Sequence, residues 1–237
     1  CGPSFLLLCM ETHDMMDLTA VKPANMNLFK VMCMILISQL ISAILQVVIL
    51  TAIPFIFYLF KEKRAKGFFE WIGFKTTENN VFKYMVIIFV SFLAIIILPY
   101  LYLYNTNSLT YTGFTVDAYK QYGWSMQTIL VILIWAVVQT SLSEEIFFRG
   151  FLGNRLFEKL GNSGNIIQAI IFGGIHIVSV VGKEILPMVI IFLLTGGIGY
   201  ALGWLSKSKA DGSIIYGWII HATVNIISPI VVFIFLI

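Results

Sequence analysis

Charge is what this sequence has least of. Only 11% of its 237 residues are Asp, Glu, Lys or Arg, against roughly 25% in an ordinary soluble domain. A soluble enzyme or a basic nucleic-acid-binding domain needs a solvated charged surface. The net charge of +3 is spread over short loops, so no phosphate-binding face and no nucleic-acid partner is expected. Cysteine is scarce as well: Cys1, Cys9 and Cys33 are odd in number and without CxxC spacing, which offers neither a disulfide framework nor a Cys-ligated metal. An HExxH zinc motif is missing, as are internal repeats, low-complexity linkers and the paired halves of a secondary transporter.

Apolar residues are abundant, at 59%, and they come in long blocks. A helix needs about 20 mainly apolar residues to cross the hydrocarbon core. Qualifying blocks run from Val31 to Phe60, Tyr84 to Tyr104, Thr128 through Ser143 and on to Phe148, Asn165 to Val181, Ile185 to Leu205, and Ile214 to Ile237. The expected fold is therefore all-α: a polytopic transmembrane bundle of about six helices with an intramembrane active site. Residues 26–237 form one transmembrane domain, and residues 125–237 hold the chemistry-bearing motifs. Residues 1–25 are weakly patterned. Their first residue is Cys rather than Met, so the start is read as arbitrary and no function is assigned to them.

Lys and Arg set the expected orientation, because positively charged short loops stay in the cytoplasm. Eleven of the 15 basic residues lie in the segments 61–83, 149–163 and 206–213, which six alternating spans place on one side. Lys22, Lys30, Lys120 and Lys183 fall on the other. The polar stretch Asn105 to Gln127 is then external. Phe68, Phe69, Trp71 and Phe74 read as a short amphipathic element at the cytoplasmic headgroup level.

Against this background each polar residue in a span calls for a reason, since a charge there costs roughly 2.5 to 3.5 kcal/mol on insertion scales. Glu144 and Glu145 follow the third apolar run and lead through Ile146, Phe147 and Phe148 to Arg149. Glu145 and Arg149 are i and i+4 and can pair, while Glu144 points about 100° away round an α-helix. A snorkelling helix end would explain the same residues. His176 lies about 16 Å along the fourth span if that helix begins at Asn165, as a base, a metal ligand or an interhelical hydrogen-bond partner. Gly173 and Gly174 before it allow close approach of a helix or a substrate backbone, and Gly196, Gly197, Gly199 and Gly203 read as helix packing. His221 and Asn225, again i and i+4, put an imidazole and a carboxamide on one face, suited to clamp an oxyanion or to bridge helices. Three spans carry such groups and the second carries almost none, so one shared site is expected.

The order Glu144-Glu145-x-x-x-Arg149, Phe172-x-x-x-His176, His221-x-x-x-Asn225 resembles that of the CAAX protease and bacteriocin-processing (Abi) family of intramembrane endopeptidases. The resemblance covers about residues 125–237. It implies that Glu144 with His176 positions and deprotonates a water, that His221 and Asn225 stabilise the oxyanion, and that Glu145 and Arg149 brace the site. Members are often described as metalloproteases. Glu144, His176 and His221 could make a three-ligand zinc site with water as fourth ligand, although a metal-free, glutamate-dependent mechanism is the preferred version. The implied partners are the lipid bilayer and a peptide substrate, prenylated and CAAX-type or a small leader or bacteriocin-like peptide. The implied location is a bacterial plasma membrane, with the site toward the cytoplasm. Two other functions fit the buried ionisable groups: an ion- or proton-coupled transporter, and a non-catalytic scaffold or immunity protein.

Overall fold

The computed structural model describes residues 28–108, 114–180 and 184–235. Cys1, Cys9, His13, Lys22 and Lys183, together with the N-terminal stretch 1–25, lie outside the described residues. Eight helices follow in chain order: α1 Leu28–Glu62, α2 Phe68–Trp71, α3 Phe82–Asn105, α4 Phe114–Tyr122, α5 Met126–Leu160, α6 Asn162–His176, α7 Ile185–Lys209 and α8 Ile215–Phe235.

The bundle is arranged for lipid. Outward faces of α1 and α3 expose Ile37, Ile41, Ile44, Val48, Ile87, Val90, Ile95 and Leu98, whereas Gln39, Gln46, Gln139, Ser141, Glu145, Arg149 and Asn225 are buried. In water that distribution would be costly on both counts, and in a bilayer it is the favourable one. The chain is an integral membrane protein. Each of the six apolar blocks forms a helix, and among the described residues α1, α3, α5 and α7 are long and apolar enough to cross a membrane by length and composition. The expected fourth span is shorter than its apolar block: α6 has 15 residues, about 22 Å of helix. It closes at His176, and a single 3-10 turn, Ile177–Ser179, follows.

Two further expectations change. The segment 149–163, read as a cytoplasmic loop, is instead the last part of α5, which runs unbroken for 35 residues to Leu160 before turning at Gly161. Arg149, counted there as a loop cation, is only 1% exposed. The reason is local: Glu145 one turn earlier supplies its counter-charge, so the arginine can stay inside. The aromatic element at 68–74 is likewise not a simple surface anchor. Phe68 and Ile72 fill a core cluster with Tyr58, Ile146 and Ile214, leaving Phe69 to face outward.

The second core, Leu202, Leu205, Ile220 and Val224, joins α7 to α8 with side chains of α3 packed against it. α6 and α7 meet through small residues. A Cβ at Gly173 would come within 2.7 Å of the Phe192 carbonyl oxygen, and one at Gly203 would strike the Asn165 side chain. Asn165 Nδ2 donates to the Tyr200 carbonyl at 3.0 Å and Gln168 Nε2 to that of Gly199 at 2.9 Å, so amides join the helices where side-chain bulk is absent.

Candidate active site

α5 carries the centre of the site, and its geometry departs from a regular α-helix. Ile134–Leu142 and Glu145–Gly153 are π-helical, bonding i to i+5, with Ser143 and Glu144 between them. Such stretches are rare and concentrate at functional sites, because the wider ring re-aims side chains relative to the neighbouring turns. α1 supports the first of them. Gln39 donates to Gln139, Gln139 donates to Ser42 at 3.1 Å and to Gln46 at 3.4 Å, and Gln46 donates to Ser143 at 3.1 Å. This row of buried amides ends on the residue next to Glu144.

The two glutamates lead to different partners. Glu145, fully buried, lies 3.2 Å from Arg149 Nη1. The Arg149 guanidinium also lies over the Phe172 ring at 4.2 Å, and it has no hydrogen-bond acceptor in good geometry, so its charge is held by Glu145 and the aromatic face. The same Glu145 oxygen, Oε1, is 3.1 Å from His221 Nδ1. A carboxylate accepts, which places a proton on Nδ1 and turns Nε2 toward Glu144 Oε2, 3.7 Å away. Gly217, one turn before His221, lets α8 approach this closely: a Cβ there would lie 2.9 Å from Glu145 Oε2.

His176 enters from the end of α6. Its Nδ1 is 2.7 Å from the carbonyl oxygen of Phe172; that oxygen can only accept, so Nδ1 carries the proton and a neutral ring keeps its lone pair on Nε2. Glu144 and His221 are the side chains that act on it electrostatically across the site. The Phe172 ring packs between, 4.5 Å from the His176 ring and 6.3 Å from that of His221. Asn225, also fully buried, donates from Nδ2 to Thr140 Oγ1 at 2.9 Å and to Ser141 Oγ at 3.1 Å, tying α8 to the π-helical stretch of α5.

The structure thus brings Glu144, Glu145, Arg149, His176 and His221 together from α5, α6 and α8, with Asn225 one turn along α8. Thr140, Ser141, Gly217 and the glutamine row escaped sequence reading. Gln39 and Gln46 at i and i+7, facing Gln139 and Ser143 at i and i+4, were the signal available for the last. Among the described residues, no three His, Cys, Asp or Glu side chains are grouped to hold a metal ion. His221 spends Nδ1 on Glu145 and His176 spends Nδ1 on a carbonyl, which leaves Nε2 of each ring available to a water or to a metal ion.

Comparison with known proteins adds one finding. Residues 126–227 match the family model described as Rce1-like, type II CAAX prenyl endopeptidase. No curated protein and no solved structure matches the chain. The matched segment begins with α5 and ends in α8, and contains every polar residue of the site except those contributed by α1.

Proposed function

We propose, from the Rce1-like domain at residues 126–227, that the chain is a membrane-embedded endopeptidase that cleaves near the carboxyl end of a prenylated, CAAX-type peptide. The observation that carries the reading is the convergence of two glutamates on one histidine, Glu145 at 3.1 Å from Nδ1 and Glu144 at 3.7 Å from Nε2. A helix-bridging role would be met by a single pair. Here one carboxylate orients the imidazole and leaves the second unspent, which is the division of labour that general-base catalysis requires.

In this mechanism a water lies between Glu144 and the unprotonated Nε2 of His176. Glu144 takes its proton as the oxygen attacks the scissile carbonyl, then passes that proton to the departing amine as the C–N bond breaks. His221 carries protons on both ring nitrogens, one donated to Glu145 and one offered to the oxyanion, with the adjacent carboxylates compensating the charge. Asn225 exchanges one of its hydroxyl acceptors for the same oxyanion. A donor fixed before the reaction, as His221 is by Glu145, needs no reorganisation in the transition state, which gives it its electrostatic value. Arg149 holds Glu145 in place at 3.2 Å. No step is routed through a metal.

The test is a comparison of wild type with Glu144→Gln in detergent, against farnesylated CAAX-type peptides and unprenylated leader peptides, with and without a chelator. Cleavage of the prenylated peptide that falls by about 10² to 10⁴-fold in the variant at unchanged thermal stability supports the assignment. Activity retained in Glu144→Gln sinks it, and cleavage confined to leader peptides overturns the substrate class. Loss of activity on chelation would replace the water activation described here by a metal-assisted one.

A further inference from the structure

A second polar site lies away from the peptidase cluster, where the C-terminal ends of α1, α5 and α7 meet α2. It is a cavity of about 360 Å³ whose lining includes Arg64, Trp71, Lys75, Arg155 and Lys207. Acidic residues line it too, and the question is which charges are already spent. Glu158 holds Arg155 at 2.9 Å, Glu62 lies 3.8 Å from Lys61, and Asp211 accepts from Thr77 and Asn79. Among the described residues, Arg64, Lys75 and Lys207 belong to no ion pair, and of the acidic lining Glu70 and Asp211 belong to none either. Lys207 is half-buried, which disfavours its charge, and it feels Glu158 as an opposite charge and Arg155 and Lys75 as like charges.

The lining also buries donors without acceptors. Trp71 Nε1 and Arg155 Nε are both shielded from solvent, and neither reaches a protein acceptor. Arg155 lies over the Trp71 ring at 4.3 Å and is held by Glu158 at 2.9 Å, which limits the directions of its remaining N–H groups. A buried unpaired donor costs roughly 1 to 3 kcal/mol. Two of them beside three unspent cations form a preorganised receptor for an oxyanion with several acceptor atoms. Carboxylates have two oxygens in one plane, whereas phosphate presents them tetrahedrally, matching donors that arrive from α2, α5 and α7. Phe60 and Phe69, on the same helices α1 and α2 that contribute Glu62 and Trp71 to the cavity wall, are 79% and 68% accessible, exposed rings suited to the acyl boundary of a bilayer.

We propose that this cavity binds a phosphate monoanion, supplied by the headgroup of an anionic phospholipid. The site would act independently of the peptidase chemistry and stands whether or not that reading holds. Phospholipid and free phosphate share the recognised group, and they are separable by experiment.

The full-length chain, purified in detergent, is titrated with phosphatidylglycerol, phosphatidylcholine and inorganic phosphate, with thermal unfolding and native mass spectrometry as readouts. Phosphatidylglycerol is expected to bind saturably and raise the unfolding temperature, and Lys207→Gln is expected to weaken binding by about tenfold. Trp71→Phe keeps the ring under Arg155 and removes only the N–H, so it should weaken binding while the lipid-free unfolding temperature stays near wild type. A response to inorganic phosphate but not to phosphatidylglycerol, still lost in both variants, would retain the phosphate site and remove the lipid as its source. Equal retention of phosphatidylcholine and phosphatidylglycerol, or binding that both variants leave unchanged, would overturn the proposal.

Discussion

Arg149 and Glu145 are both fully buried, and the energetics of such pairs are asymmetric. Removing one partner strands a charge in a low-dielectric interior, at roughly 3 to 5 kcal/mol, whereas replacing both with apolar residues is often neutral or better. Arg149→Met should therefore destabilise the protein strongly, and Glu145→Leu combined with Arg149→Met should recover most of the loss in detergent unfolding. Peptide cleavage should not recover with it, because Glu145 also orients His221 at 3.1 Å. A double variant that regained activity would assign Glu145 to stability alone. At this scale the sequence was informative. Glu144, His176, His221 and Asn225 are legible because charged and amide groups are rare in apolar blocks. What it could not give was the exchange of partners: i, i+4 spacing announces Glu145 with Arg149, but the contact to His221, 76 positions away, exists only after α8 packs on α5.

Element boundaries were harder to read, and α5 shows why. Hydropathy marks where an apolar run fades, near Phe148, but a helix ends where its backbone hydrogen bonds end, and α5 continues to Leu160. Its π-helical stretches leave no mark in composition, since any residue can occupy them. Small-residue positions were legible as packing, though not individually. In α6 the neighbours Gly173 and Gly174 look alike in sequence and differ in space: a Cβ at Gly173 meets the Phe192 backbone at 2.7 Å, while one at Gly174 meets nothing within 4 Å. Gly173→Ala should cost about 1 to 3 kcal/mol through overpacking between α6 and α7. Gly174→Ala should be neutral or gain up to about 1 kcal/mol from helix propensity. Matched thermal unfolding of the two variants checks the helix contact directly, and equal effects would refute it.

For the whole molecule, the sequence settled class and environment, and left shape to packing. The expectation of an all-α bundle agrees with the structure, because 59% apolar content in long blocks admits little else. The charge asymmetry survives the burial of Arg149, since ten basic residues remain in the three segments assigned to one face. With single cysteines introduced in a background lacking the native ones, position 65 should be labelled by an impermeant reagent only from the cytoplasmic face, and position 121 only from the opposite face. Labelling of both from one side would break the assumed alternation of spans.

Length gives α5 a mechanical meaning. Its 35 residues, even with the shorter rise of the π-helical stretches, make a rod longer than the roughly 30 Å of hydrocarbon that a span must cross. Glu144 and Arg155 ride on it, one in the candidate site and the other in the wall of the charged cavity at the bundle's end. The backbone is helical without a break between the two points, through the π-helical stretch Glu145–Gly153, so a displacement at one is carried toward the other. A headgroup bound in that cavity would therefore act through the helix backbone on the depth and aim of the carboxylate.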